Sequence, residues 1–282
     1  MRQRTKDALM PANSPDCSII VPIHNEEAIL AESISSLIEE LDHSLNCAYE
    51  LILCENGSTD STASIAENLS ERYLKIRVER LPLPSYGRAL RQGIEAAQGR
   101  VIVIVNADFW DVDFTCQAMA RELDYDVLVA SKNIAGAHDQ RPWHRRAITV
   151  SFNLLLRLLF SYKGTDTHGL KALKAVTMKP LSLTCRTSAE VFDTELLIRT
   201  QRANLRLLEV PISIEEWRPS RYGLLKRIPR TMADLFTLIK VLTLPAHEND
   251  DSELPRSGCT QIKELPVVGS DSLVAPEEVK SK

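Results

Sequence analysis

Acids, amides and hydroxyls gather at three points in the chain: His24-Asn25-Glu26 after Pro22, Glu55-Asn56-Gly57-Ser58-Thr59-Asp60, and Asn106-Ala107-Asp108 with Asp111 close behind. Each cluster follows directly on an apolar, largely β-branched run. One such cluster reads equally well as a turn or a helix cap. Three at the ends of successive strands suit a ligand, because open α/β sheets bind ligands beyond the carboxyl ends of their strands. The third cluster, which ends the run VIVIVNADFWD, raises the question of a metal and nucleotide site, a damaged one, or merely the end of a strand. The Asp108 carboxylate can hold Mg²⁺ or Mn²⁺, hard ions that need only one or two carboxylates when phosphates and waters complete the shell. Asp111 and His168 are candidate further ligands, with solvated loop side chains as the alternative. For the phosphates there are Arg88, after Ser-Tyr-Gly, and the cluster Arg218, Arg221, Lys226, Arg227 and Arg230. A guanidinium donates two parallel hydrogen bonds to phosphate; the alternative for the cluster is a solvated basic face.

Alternating strands and helices must position these groups. CSIIVPI reads as the first strand, and Glu26 to Leu45 as a helix with Leu30, Ile34, Leu37, Ile38, Leu41 and Leu45 on one face. YELILC is the second strand, and Ser58 to Tyr73 a helix opened by capping residues. IRVERLP, YGRALRQGIEAAQG and RVIVIVN follow as strand, helix and strand. Three βα units thus precede Asp108. Beyond it, DYDVLVASKN, THGLKALKA and RLLEVPISIEEW read as strands, and RPWHRRAITVSFNLLLRLLF and FDTELLIRTQRANL as helices. RPSRYGLLKRIPRTMADLFTLIKVL mixes cationic and apolar positions. The pattern is that of an α/β domain with a mostly parallel sheet.

Bulk properties bound the function. With 282 residues and 44% hydrophobic content the chain can build a sizeable core. Its formal charge of −4 resides in Ala246–Lys282, which holds eight acids against four bases. The neutral remainder argues against broad nucleic-acid binding. Six scattered cysteines without a CxxC pair, behind a polar start lacking a signal peptide, fit reduced, mostly buried thiols in cytoplasm. The two most apolar stretches are interrupted by Arg157, Asp234 and Lys240 and fall short of the about 20 residues a spanning helix needs. The expected organisation is a flexible segment 1–16, one domain over 17–245 (nucleotide part about 17–111, acceptor part about 112–245) and a disordered acidic tail 246–282.

The order of motifs resembles the family 2 glycosyltransferases of GT-A fold, which carry P-x-x-N-E, D-D-G-S-x-D and D-x-D after the first, second and fourth strands. Here these read Pro22 to Glu26, Glu55 to Asp60, and Asn106 to Asp108, and the resemblance covers roughly Cys17 to Leu244. FDTELLIRTQRANLRLLEVPI is similar to the end of the dolichyl-phosphate mannose synthase branch, which glycosylates polyprenyl phosphates. The resemblance implies a nucleotide-sugar donor, GDP-mannose or a UDP-sugar, bound by Pro22, His24, Asn25, Glu26, Glu55, Asn56, Ser58, Arg88, Asn106 and Ala107. It also implies Asp108 as the metal-binding member of D-x-D, Arg218 or Arg221 at the diphosphate, and inversion at the sugar carbon. Asn56 and Asn106 stand where the family has aspartates, so hydrogen bonding is kept and charge is lost.

The acceptor decides whether a base is needed. A hydroxyl must lose its proton to a carboxylate, for which Asp166 is the candidate, with a turn residue as the alternative. A phosphate is already anionic and attacks once it is held in line. A polyprenyl acceptor implies peripheral contact with the cytoplasmic face of a membrane, through basic, amphipathic segments such as Ala147 to Phe160, and admits a membrane protein partner. Trp110, Trp143 and Trp217 can anchor at that interface or stack on a base. Two other readings are transfer to a saccharide or protein hydroxyl, and a non-catalytic nucleotide-sugar binding module. A dinucleotide-dependent oxidoreductase is disfavoured, since no GxGxxG follows the first strand.

Overall fold

The apolar run CSIIVPI forms the interior strand β1 (Cys17–Ile23), flanked in parallel by β2 (Tyr49–Asn56) and β4 (Val101–Ile104). In the computed structural model, which describes residues 14–139, 143–214 and 224–243, seven strands form one sheet. Adding β3 (Ile76–Leu81), β5 (Val127–Ser131), β7 (Lys171–Lys174) and β8 (Leu207–Pro211) gives the order β3-β2-β1-β4-β7-β5-β8. The pairings are parallel except for β7, which runs antiparallel to both β4 and β5. A separate parallel pair joins β6 (His138–Asp139) to β9 (Ser213–Ile214). RLLEVPISIEEW is therefore two strands, parted at Ile212.

Period-two alternation divides the strands between two cores. Ile19, Val21, Leu51, Leu53, Val101 and Val103 face one core, which takes Leu30, Ile34, Leu37, Ile38 and Leu41 from helix α1 (Leu30–Ser44) and Ala66 and Leu69 from α2 (Thr62–Arg72). Ile20, Ile52, Cys54, Ile102 and Ile104 face the other, with Leu90 and Ile94 of α3 (Tyr86–Ala96). Each buried Ile or Leu stabilises the fold by roughly 1.5–3 kcal/mol, and the helical spacing seen in the sequence is what brings them inward.

Two helices were not foreseen. α4 (Val112–Ala120) packs on the first core and α6 (Ala175–Leu183) on the second, ahead of α7 (Phe192–Arg202). α6 carries Pro180 and α4 alternates small, polar and β-branched residues, so neither shows a clear stripe. α5 (Trp143–Phe160) and α8 (Leu224–Thr243) complete the described elements. The first two helices start later than their periodicity suggests, at Leu30 and Thr62, because the residues before them are spent on loop contacts described below. Asp16, within the segment expected to be flexible, is held by its amide to Ala48 O at 2.7 Å and by Arg100 at 3.1 Å. Residues 1–13 and the tail 246–282 lie outside the described residues. No described helix is long and apolar enough to cross a membrane.

Candidate active site

The ends of β1 and β2 are knitted into one cradle. Asn25 takes a left-handed backbone at φ 53°, a region Asn enters more readily than most residues. Its amide donates to Ser58 Oγ at 3.1 Å, and its Oδ1 accepts from the Thr59 amide at 2.8 Å. Glu26 N donates to Thr62 Oγ1 at 2.7 Å, and Ser61 N donates to Glu27 Oε2 at 3.0 Å. His24 Nδ1 donates to the Asn56 carbonyl at 2.8 Å, which leaves Nε2 to accept from Asn25 Nδ2 at 3.3 Å and so fixes the tautomer. Pro22 lies past the last β1–β4 pair, Ile20↔Ile104, so its missing amide costs no pairing there.

Glu55 and Asn56, expected at the nucleotide, are both buried and hold neighbouring loops. Glu55 Oε1 accepts from Ser58 N at 2.6 Å, and Asn56 Oδ1 accepts from Ser85 N at 2.5 Å, pinning the start of α3. Gly57 makes this possible: its φ is +61°, and a Cβ there would lie 2.8 Å from Pro84 N. Arg88, in the first turn of α3, is exposed.

At the end of β4 the chain reverses sharply: Asn106 N donates to Phe109 O at 3.0 Å and Phe109 N returns to Asn106 O at 3.3 Å. Ala107 is buried, and its carbonyl accepts from Ser33 Oγ at 2.5 Å, which in turn accepts from Trp110 Nε1 at 3.0 Å. This bracing from α1 leaves Asp108 exposed at the tip of the turn, without a hydrogen bond or ion pair among the described residues. Asp111 is differently employed. Its Oδ1 accepts from Phe114 N at 2.8 Å and caps α4.

Ile104 pairs with Lys171 in antiparallel register, so the chain entering β7, with His168, runs beside the chain leaving β4, with Asp108. His168 is exposed, with Nδ1 2.9 Å from Thr167 Oγ1 and the Phe152 ring edge-on at 6.0 Å. Among the described residues no three acids, histidines or cysteines form a metal cluster. The exposed Asp108 carboxylate, with His168 on the adjacent chain, fits an ion held mostly by a ligand's phosphates and water.

Asp166, the candidate general base, is engaged by its own loop and by a cation. It is 1% exposed, accepts from His168 N at 3.0 Å, and sits 3.4 Å from Lys132 Nζ. Burial alone would raise its pKa, but the Lys132 ammonium and the His168 amide outweigh it and hold the carboxyl below its usual range. A buried carboxylate kept ionised by a cation is a weak proton acceptor. Its loop is clamped from outside: Glu209, the acid of EVPI, accepts from Thr165 N at 2.7 Å and from Thr165 Oγ1 at 2.9 Å. Sequence reasoning missed Lys132 and a second buried pair, Lys171 Nζ with Asp193 Oδ2 at 3.3 Å, to which Tyr86 OH also donates at 2.9 Å. The signal for that pair was a lysine inside an apolar strand and an aspartate opening an apolar helix. Arg218, Arg221 and Trp217 lie outside the described residues, as do the side chains of Lys226, Arg227 and Arg230.

The model of the family described as Glycosyl transferase family 2 matches residues 18–182, more than half of the chain. The chain belongs to that family. Among curated proteins it is 28% identical over 223 residues to glycosyltransferase AglD of Haloferax volcanii, spanning 76% of this chain but only 35% of that one. It is 28% identical to the dolichyl-phosphate beta-glucosyltransferase of Drosophila melanogaster, covering 74% of this chain and 69% of the relative. The corresponding enzyme of Dictyostelium discoideum is 26% identical, with 73% and 68% covered. Among solved structures, glucosyl-3-phosphoglycerate synthase from Mycobacterium tuberculosis, in complex with Mn²⁺, UDP and glucosyl-3-phosphoglycerate, shares the GT-A fold at a TM-score of 0.60 and 22% identity, with 82% and 81% of the two chains covered.

Proposed function

We propose that the protein transfers a sugar from a nucleoside-diphosphate sugar to the phosphate of a polyprenyl phosphate, with inversion at the anomeric carbon. The observation that carries this reading is the contrast between two acids: Asp108 is exposed and, among the described residues, unengaged, whereas Asp166, the candidate base, is buried and ion-paired. A site that offers a metal ligand and whose candidate base is already engaged suits an acceptor that arrives deprotonated. The relatives named as dolichyl-phosphate beta-glucosyltransferases support the same acceptor class and favour a glucosyl donor. The Mn²⁺ and UDP of the mycobacterial synthase support a uridine nucleotide and a divalent ion.

In this reading the cradle of His24, Asn25, Glu26, Glu55, Asn56 and Ser58 receives the nucleoside, with Pro22, Ala107 and Asn106 along its wall. Glu55 and Asn56, already tied to Ser58 and Ser85, present a fixed edge rather than a mobile one. Asp108, with His168 as a second ligand, would hold Mg²⁺ or Mn²⁺, which when bound neutralises the charge growing on the leaving diphosphate. Arg88 and one of Arg218 and Arg221 bind the same phosphates. Lys132 and Asp166 set the electrostatics of the acceptor side and keep the His168 loop in place. Transfer to a saccharide or protein hydroxyl is disfavoured by the engagement of Asp166.

The test is a panel of nucleotide sugars, each with and without Mn²⁺, read first by thermal stabilisation and then by transfer to a polyprenyl phosphate. Metal-dependent stabilisation by one donor, followed by transfer of its sugar, is the expected result. Stabilisation with neither transfer nor slow donor hydrolysis would make the protein a binding module instead.

A further inference from the structure

Helix α5 divides its side chains sharply. Leu156 and Phe160 enter the second core, while Asn153 Nδ2 donates to Thr165 O at 2.5 Å and Phe152 meets His168. The helix is thus the outer wall of the loop that carries Asp166 and His168. Much of its remaining surface is apolar and, among the described residues, exposed. Val150, Leu154 and Leu158 repeat at four-residue spacing with 58%, 54% and 73% exposure, and Ile148, Leu155 and Leu159 broaden the stripe. A contiguous apolar face of this kind marks an interaction surface.

We propose that this face of α5 docks on an anionic lipid surface. The proposal rests on the functional reading above, because it explains how a membrane-held acceptor reaches the His168 loop. Charge favours the assignment: WHRRAITVSFNLLLRLLF has three arginines and no acid, and Arg146 and Arg157 are exposed beside the leucines. Arginines flanking an aliphatic face lodge among headgroups while the aliphatic residues enter the acyl boundary. The side chains also favour lipid over a protein partner. The stripe is wholly aliphatic, whereas the anchoring residues of protein interfaces are mostly Trp, Tyr and Arg, with Leu and Val under-represented. Exposed Phe236 and Met232 on α8, whose Leu235 and Leu238 share the core reached by Leu156, extend the apolar surface available.

The test is flotation of the full chain with vesicles of phosphatidylcholine and phosphatidylglycerol in equal parts, without donor or acceptor. Wild type is expected to float, and the double variant Leu154→Gln, Leu158→Gln to bind about tenfold less with an unchanged melting temperature, since both side chains are exposed. A wild-type protein that stays in solution, or a double variant that floats equally well, overturns the proposal. So does a wild type that self-associates through this face and becomes monomeric in the double variant, since the face would then bind a second copy. Failure here is distinguishable from failure of the functional reading. A protein that floats but glycosylates no polyprenyl phosphate defeats only that reading, and one that glycosylates it in detergent without floating defeats only the docking face.

Discussion

Along the edge formed by β1, β2 and β4, polar side chains bind the amides of neighbouring loops, and one carboxylate, Asp108, is left over at the surface. Along the edge formed by β5, β7 and β8 the acids are withdrawn. Asp166 pairs with Lys132, Asp193 with Lys171, and Glu209 clamps Thr165. Glu195 of α7, fully buried, accepts from the amides of Arg186 and Thr187 and from Arg199. The first edge spends amides, hydroxyls and the carboxylates of Glu27 and Glu55 on backbone amides to shape a cradle and, among the described residues, leaves Asp108 exposed without a partner. The second spends its charges on holding loops still, so substitutions there should act on stability before chemistry.

The largest effect is expected at Asp193. Replacing it with Ala leaves Lys171 buried without its counter-ion, a loss of about 3–5 kcal/mol, measurable by urea unfolding; a change below about 1 kcal/mol would erase the contrast between the edges. Glu195→Gln keeps the shape but removes the charge that several donors share, and should lower stability by about 1.5–3 kcal/mol without altering the donor's metal dependence. Asp166→Asn should reduce transfer to a polyprenyl phosphate by no more than about tenfold, in steady-state assays. Abolished transfer would restore Asp166 as a base. The same variant sharpens the acid limb of stability. Because the folded pKa of Asp166 lies below its usual value, its contribution is complete above about pH 3.9 and is lost as pH falls towards the lower folded value. Wild type should therefore lose more stability than the Asn variant over that range. The smallest effect concerns thiols: burial pushes the pKa of Cys17, Cys54 and Cys185 up, so thiol reagents on the native protein should label the half-buried Cys47 and Cys116 before these three.

Legibility in the sequence follows the same divide. The strands flanking β1 were readable because each is a buried apolar run ending in a polar loop, although of the loop contacts that of Glu55 with Ser58 is local, while those of Asn25 with Thr59 and Asn56 with Ser85 span 34 and 29 residues. The second edge depends on contacts between distant segments. Nothing local distinguishes an antiparallel β7 from a parallel one, and THGLKALKA read as a strand from Thr167 although pairing begins at Lys171, because Thr165 to His168 bind side chains instead. The capping contact of Asp111 was not legible because a capping carboxylate and a coordinating one share a residue type, and helix α4 was unforeseen. Glu209 is the converse case. It was noticed as part of a family resemblance, and its work is mechanical, holding the loop of Asp166 from the far strand.

The sharpest single measurement is the binding of UDP to wild type and to Asp108→Ala, each titrated with and without Mn²⁺. Wild type should bind the nucleotide far more tightly with the ion than without it, and the variant, unchanged in melting temperature, should bind equally weakly in both conditions. An ion-dependent gain that survives in the variant would contradict the role given to the exposed carboxylate at the end of β4.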